Sequence, residues 1–102
     1  MNRKLLLLDS EDAMLLDGLA AVVWQIEMVR SVSTPPRVKN IIPGVLYTFI
    51  FRQDQAGQNT FIWPQTCENA SAISLRPYSY TVQNFIGTLD GKLLAHLPAT
   101  YL

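Results

Sequence analysis

The sequence predicts an all-β fold, an antiparallel β-sandwich or jelly-roll-like domain with one short helix near the N-terminus. Three observations lead there. Val45 to Arg52 alternates Val45, Tyr47, Phe49 and Phe51 with Leu46, Thr48, Ile50 and Arg52, a period of two in aromatic and β-branched residues that suits a pleated strand. Short apolar runs are separated by turn formers at Asp17-Gly18, Pro35-Pro36, Pro43-Gly44, Asp54 to Gly57 and Asp90-Gly91. The 102 residues, 49% of them hydrophobic, fit one modest core. Residues 1–102 are therefore read as a single domain, with an N-terminal arm at 1–12, a β-sandwich core at 20–97 and a C-terminal tail at 98–102.

Leu5 to Leu8 reads as a short strand or an arm laid on a neighbour, broken by the acids of Asp9-Ser10-Glu11-Asp12. Ser10 is placed to cap a brief helix from Glu11 to Leu16, because acidic residues in a first turn complement the helix dipole. After the Asp17-Gly18 turn, Ala21 to Val32 sets Val22, Trp24, Ile26 and Met28 on one face and Val23, Gln25, Glu27 and Val29 on the other. A helical reading of Leu15 to Arg30 competes, since Leu15, Leu19, Val22, Ile26 and Val29 recur every three or four residues; the Val-Val-Trp composition decides for a strand.

Pro35 and Pro36 end that strand, and Val38, Ile41 and Ile42 tuck back to the core or form a short edge strand. The strong strand Val45 to Arg52 is then expected to pair in a hairpin with Asn59 to Trp63, Gly57 supplying a positive φ in the loop. Tyr78 to Ile86 alternates again, with Phe85 out of phase as at a bulge or strand end, and Asp90-Gly91 turns the chain into Lys92 to Leu97.

The pattern of Gly44 before a Tyr-Thr-Phe strand, then Gln53-Asp54, a small residue and Gly57, then Thr60-Phe61-Ile62-Trp63-Pro64, resembles a β-sandwich module of bacteriophage virion proteins of the tail-fibre and capsid-decoration type. The resemblance covers Ile42 to Pro64 best and reaches more weakly to Tyr78–Ile86 and the Asp90-Gly91 turn. It implies a structural role and brings no catalytic motif.

Composition narrows the function. Eight acids balance eight bases, so no broad field gathers nucleic acid or an acidic membrane. Four leucines after Arg3-Lys4 are too few for a signal h-region, and Asp17, Gln25, Glu27 and Arg30 interrupt the most apolar part before it reaches a membrane span. With its own starting methionine and the single Cys67, the chain is expected to be soluble and made in a host cytoplasm, without a disulfide.

Reactive constellations are sparse. One cysteine and one histidine, His96, do not make a zinc site, and a Cys67–His96 dyad lacks a local signature. Asp9, Glu11 and Asp12 lack calcium-loop spacing and read as a solvated turn. Glu27 with Asp54 or Asp90 would be the carboxylate pair of a small hydrolase, with nothing in the sequence to select them. Asn69-Ala70-Ser71 has the form of a glycosylation acceptor without an accompanying secretion signal. Most aromatics fit a core, while Trp63 and Tyr78, each beside a proline, are the candidate glycan or partner contacts.

Together with the resemblance to phage virion modules, this implies a non-enzymatic virion structural protein without cofactor or metal. It ranks first as a capsid decoration or cement protein that binds the major capsid protein or other virion proteins. A tail-fibre or receptor-binding module recognising carbohydrate ranks second. Self-association into a homotrimer would suit threefold shell positions. Leu5, Leu6, Leu7, Leu8, Leu97, Tyr101 and Leu102 are the candidate interface residues.

Overall fold

The computed structural model describes residues 3–102 and is mostly β, with no helix among the described residues. Its strands are β1 (Leu5–Asp9), β2 (Leu15–Asp17), β3 (Val23–Met28), β4 (Arg37–Lys39), β5 (Leu46–Gln53), β6 (Cys67–Glu68), β7 (Tyr80–Gly87), β8 (Leu93–Leu94) and β9 (Thr100–Tyr101). A seven-stranded sheet runs in the order β1-β3-β5-β7-β8-β6, with β9 also on β7, and β2 and β4 form a separate two-stranded sheet.

The sheet is mixed, which corrects the expectation of antiparallel pairing throughout. β1 pairs parallel with β3, and β3 parallel with β5; β7 alone runs antiparallel to β5. Parallel neighbours require the intervening chain to return to the starting end, and here coil and the β2–β4 ribbon make both returns.

The N-terminal helix is absent. Ser10 is fully buried, and its hydroxyl accepts the N–H groups of Val29 and Arg30 and donates to the Arg30 carbonyl, so it pins the end of β3 instead of capping a helix. Leu15 to Asp17, expected at the helix end and the following turn, forms β2, with Leu16 buried beside Met14 in the core. The turn at Asp17 forms as expected, its carboxylate accepting the Leu19 N–H.

The hairpin between Val45–Arg52 and Asn59–Trp63 does not form either. β5 already has β3 on one side and β7 on the other, so no ladder position is left, and Asn59 to Trp63 lies as coil over the core face. Gly57 does take a positive φ, +66°; an added Cβ would meet the Leu75 carbonyl at 2.7 Å.

The core lies on one face of the large sheet. Trp24, Ile26 and Met28 from β3, Tyr47, Phe49 and Phe51 from β5, and Phe85 from β7 are fully buried there. Phe49 touches the rings of Trp24, Phe51, Trp63 and Phe85 at centroid distances of 5.1, 6.0, 5.0 and 5.4 Å. Each such buried aromatic contributes about 1.5–3 kcal/mol by removal from water.

β7 is regular through Phe85, which corrects the expected bulge: Thr81, Gln83, Phe85 and Gly87 share the buried face. Two polar residues occupy that face because they hold the covering coil. Gln83 accepts the Ser71 N–H and donates to the Leu97 carbonyl, and Thr81 accepts the Ser74 N–H. The Asp90-Gly91 turn forms as expected, joining β7 to β8 with Gly91 at φ +81°.

Candidate functional site

The side chains opposite the core follow from the register. Leu7, Gln25, Ile50, Val82 and Thr100 line up across five strands, flanked by a second row of Asp9, Glu27, Arg52 and Tyr80. Leu46 and Ile86 form an exposed apolar pair at one end of this outer face, and Ile50 and Val82 are half-buried at its centre. Arg3 reaches across it, its guanidinium donating to the Leu46 carbonyl at 2.7 Å and to Thr48 Oγ1 at 3.1 Å. Thr48 Oγ1 in turn donates to Asn84 Oδ1 at 2.7 Å.

β1 is the outermost strand on one side of the sheet. The Lys4 carbonyl accepts from Val22 and Val23, and the Ser10 N–H donates to Glu27, all toward β3. Inward bonding alternates along a parallel strand, so Leu6 and Leu8 also bond to β3, while Leu5, Leu7 and Asp9 send both backbone groups away from the sheet. Leu5 and Leu7 are 47% and 60% exposed. Residues 3–12, expected as part of an arm, thus supply this integral edge strand; Met1 and Asn2 lie outside the described residues.

Leu97, Tyr101 and Leu102 sit beyond β7, toward the opposite edge. The Tyr101 hydroxyl donates to the Ala72 carbonyl, Leu102 exchanges backbone hydrogen bonds with Tyr80, and the side chains of Leu97 and Leu102 are exposed. The seven candidate interface residues therefore fall on two separate borders of one sheet.

The two candidate contact aromatics also part. Trp63 is half-buried, packed edge-on against Phe49, Phe51 and Phe61, and its indole N–H donates to the Ser71 carbonyl. Tyr78 is 57% exposed, stands at φ +59° and lines a cleft of about 220 Å³ with Glu27, Met28, Val29, Arg52, Gln53, Asp54 and Gln55. In that cleft Glu27 Oε1 lies 3.6 Å from the Arg52 guanidinium, which also stacks over the Tyr80 ring at 5.7 Å. Glu27 Oε2 is buried without a partner.

Glu27 and Asp54 thus share a cleft, but Asp54 is already engaged by the Gly57 N–H and the Asn59 side-chain amide. Asp90 is in the β7–β8 turn with Thr88, whose hydroxyl holds its carboxyl below the usual range. Asp12 accepts the Ser33 and Thr34 N–H groups, which lower its carboxyl too. Among the described residues no three His, Cys, Asp or Glu side chains are grouped to hold a metal ion. Cys67 is buried and desolvation pushes its thiol up to about 12, whereas His96 is exposed.

Sequence reading missed Arg3, the Glu27–Arg52–Tyr80 row and the two buried glutamines, Gln53 and Gln83. The signal for the glutamines was phase: Gln53 continues the series Tyr47, Phe49, Phe51, and Gln83 lies two residues before Phe85. No family model, curated protein or solved structure matches this chain.

Proposed function

We propose that this chain is a virion structural protein that works by non-covalent attachment, a decoration or cement protein seated on a phage shell. The observation that carries the reading is the apolar surface of the sheet: exposed Leu5 and Leu7 on an open edge and exposed Leu46 and Ile86 on the adjoining outer face, with half-buried Ile50 and Val82 between them. Burying such side chains against a capsid protein contributes about 25 cal/mol per Å² of apolar area, and contact to the assembled shell alone stabilises that state by mass action. The large sheet and the β2–β4 ribbon are, in this reading, the two layers of a reduced sandwich of the kind the Ile42–Pro64 resemblance implies. Co-sedimentation with capsids tests it. Bound protein, loss of binding with Leu46→Lys/Ile86→Lys, and capsids that burst more readily without the protein are expected; failure of the folded protein to sediment with shells overturns it.

A second reading, a receptor-binding module for surface glycan, is favoured by Tyr78 alone, an exposed ring lining a cleft that also contains Arg52, Gln53 and Gln55. Flat aromatic faces stack on sugars, and amide and guanidinium groups beside such a ring donate to sugar hydroxyls. Glycan-array binding that disappears in Tyr78→Gly, a change that also relieves the positive φ, supports this reading. Trp63→Ala is the poorer probe because it opens the core.

A further inference from the structure

We infer that β1 is a self-pairing edge: a second copy of this chain adds its own β1 antiparallel to the first, making one continuous sheet across a twofold axis. The inference builds on the attachment role proposed above but names its own partner. It is measured on the isolated protein, so its failure is distinct from failure to bind a shell.

Three observations commit the edge to this occupant. The backbone groups of Leu5, Leu7 and Asp9 point away from β3 and have no hydrogen-bond partner among the described residues. Leu5 to Leu8 carries no proline and no bulge, the one charge within the strand is Asp9 at its end, and its exposed leucines stand on both faces. The strand is also self-complementary in charge, basic at Lys4 just before its start and acidic at Asp9 at its end and Glu11 beyond it, while Arg3 and Asp12 are held within the chain. Antiparallel pairing centred on Leu7 sets each basic end against the partner's acidic end, whereas parallel pairing would stack like on like.

That register makes Leu5 with Asp9, Leu7 with Leu7, and Asp9 with Leu5 the hydrogen-bonded pairs, and it places Leu6 opposite Leu8 on the core side. The pairing is isologous and closes on itself. The threefold assembly expected from sequence would instead need β1 to meet a different surface. The opposite border is a poorer match, since β9 is two residues long and the Ala99 N–H already donates to Ser71.

Sedimentation equilibrium and light scattering at about 100 μM, where even a small transient interface is populated, test the proposal. A concentration-dependent dimer is expected. Leu7→Pro removes an N–H that β3 does not use, so the fold persists while the dissociation constant rises about tenfold or more. Leu7→Cys, with Cys67 buried, is expected to form an intermolecular disulfide on mild oxidation, and Leu89→Cys on the β7–β8 turn is the control that does not. A wild-type monomer at this concentration, a dimer indifferent to Leu7→Pro, or equal cross-linking at the two cysteine positions overturns the inference.

Discussion

The side-chain amide of Gln53 exchanges two hydrogen bonds with the backbone of Asn59, Nε2 donating to the Asn59 carbonyl at 2.7 Å and Oε1 accepting its N–H at 3.2 Å. The same Nε2 donates to the Ser74 carbonyl at 2.9 Å. This buried side chain ties the coil to the end of β5 where no second ladder forms, and Asn59 and Thr60 complete the attachment through Met28, Ser31 and Val32. Gln53→Leu keeps the volume and leaves these backbone groups unpaired, and should cost roughly 2–4 kcal/mol. Urea melts would show a lower midpoint with an unchanged slope.

Tyr47 and Gly18 form a second such joint. The buried Tyr47 hydroxyl donates to the Gly18 carbonyl and accepts the Ile42 N–H, both at 3.0 Å. Tyr47→Phe should cost about 1–3 kcal/mol. Gly18→Ala should be the harsher change, because a Cβ would lie 2.5 Å from the Asn40 carbonyl oxygen and 2.8 Å from the Tyr47 hydroxyl. Thermal melts of the two variants, side by side, check the order.

Acid should loosen the loops before the core. Backbone N–H groups from Thr34 and Ser33 depress Asp12, and the Leu19 N–H with the Asn40 amide depresses Asp17, both below the usual 3.8. A carboxyl lowered on folding stabilises above its unfolded value, and that contribution is lost as pH falls through the folded value. The stabilisation from these two carboxylates should thus be full near neutral pH, begin to fall at about pH 5 and be lost as pH drops through their lowered folded values. Asp12→Asn should flatten part of that decline in denaturant titrations run at successive pH values.

Cys67 should be inert in the folded protein. Its thiol is buried beside Leu93 and pushed up to about 12, so almost no thiolate exists at pH 8. Alkylation by iodoacetamide should follow unfolding, with denaturant raising the rate by about a hundredfold or more. Fast labelling of the native protein would contradict the burial.

How far the sequence revealed this arrangement depended on whether a segment's partner was local. Tyr47, Phe49 and Phe51 declare their strand and buried face through period two alone, whereas Trp24, Ile26 and Met28 needed the β-branched and aromatic composition around them to outweigh a competing helical period. The Asp90-Gly91 turn was legible because it closes on itself. Asn59 to Trp63 was misjudged as a strand because its composition suits one, while the site it would occupy beside β5 is taken by β3 and β7. Ser10 looked like a helix cap because its acidic neighbours fit a first turn; its actual partners, Val29 and Arg30, are distant in sequence. Of the candidate interface, apolar composition was readable, but the division of Leu5–Leu8 and Leu97–Leu102 between two borders belongs to strand order, which no local pattern encodes.

The side-by-side parallel course of β1, β3 and β5 has a kinetic consequence. Neither of these contacts can begin as a hairpin, so the chain must close two long loops, at full entropic cost, before either ladder repays it. The β7–β8 corner is the local contact available to nucleate early, and the N-terminal strand, held by a single neighbour, is the natural last arrival. Refolding should accordingly be slow for a chain of this size, on the order of milliseconds to seconds. Until that strand docks, the outer border of β3 stays open to intruding chains, which makes refolding at high concentration prone to aggregation.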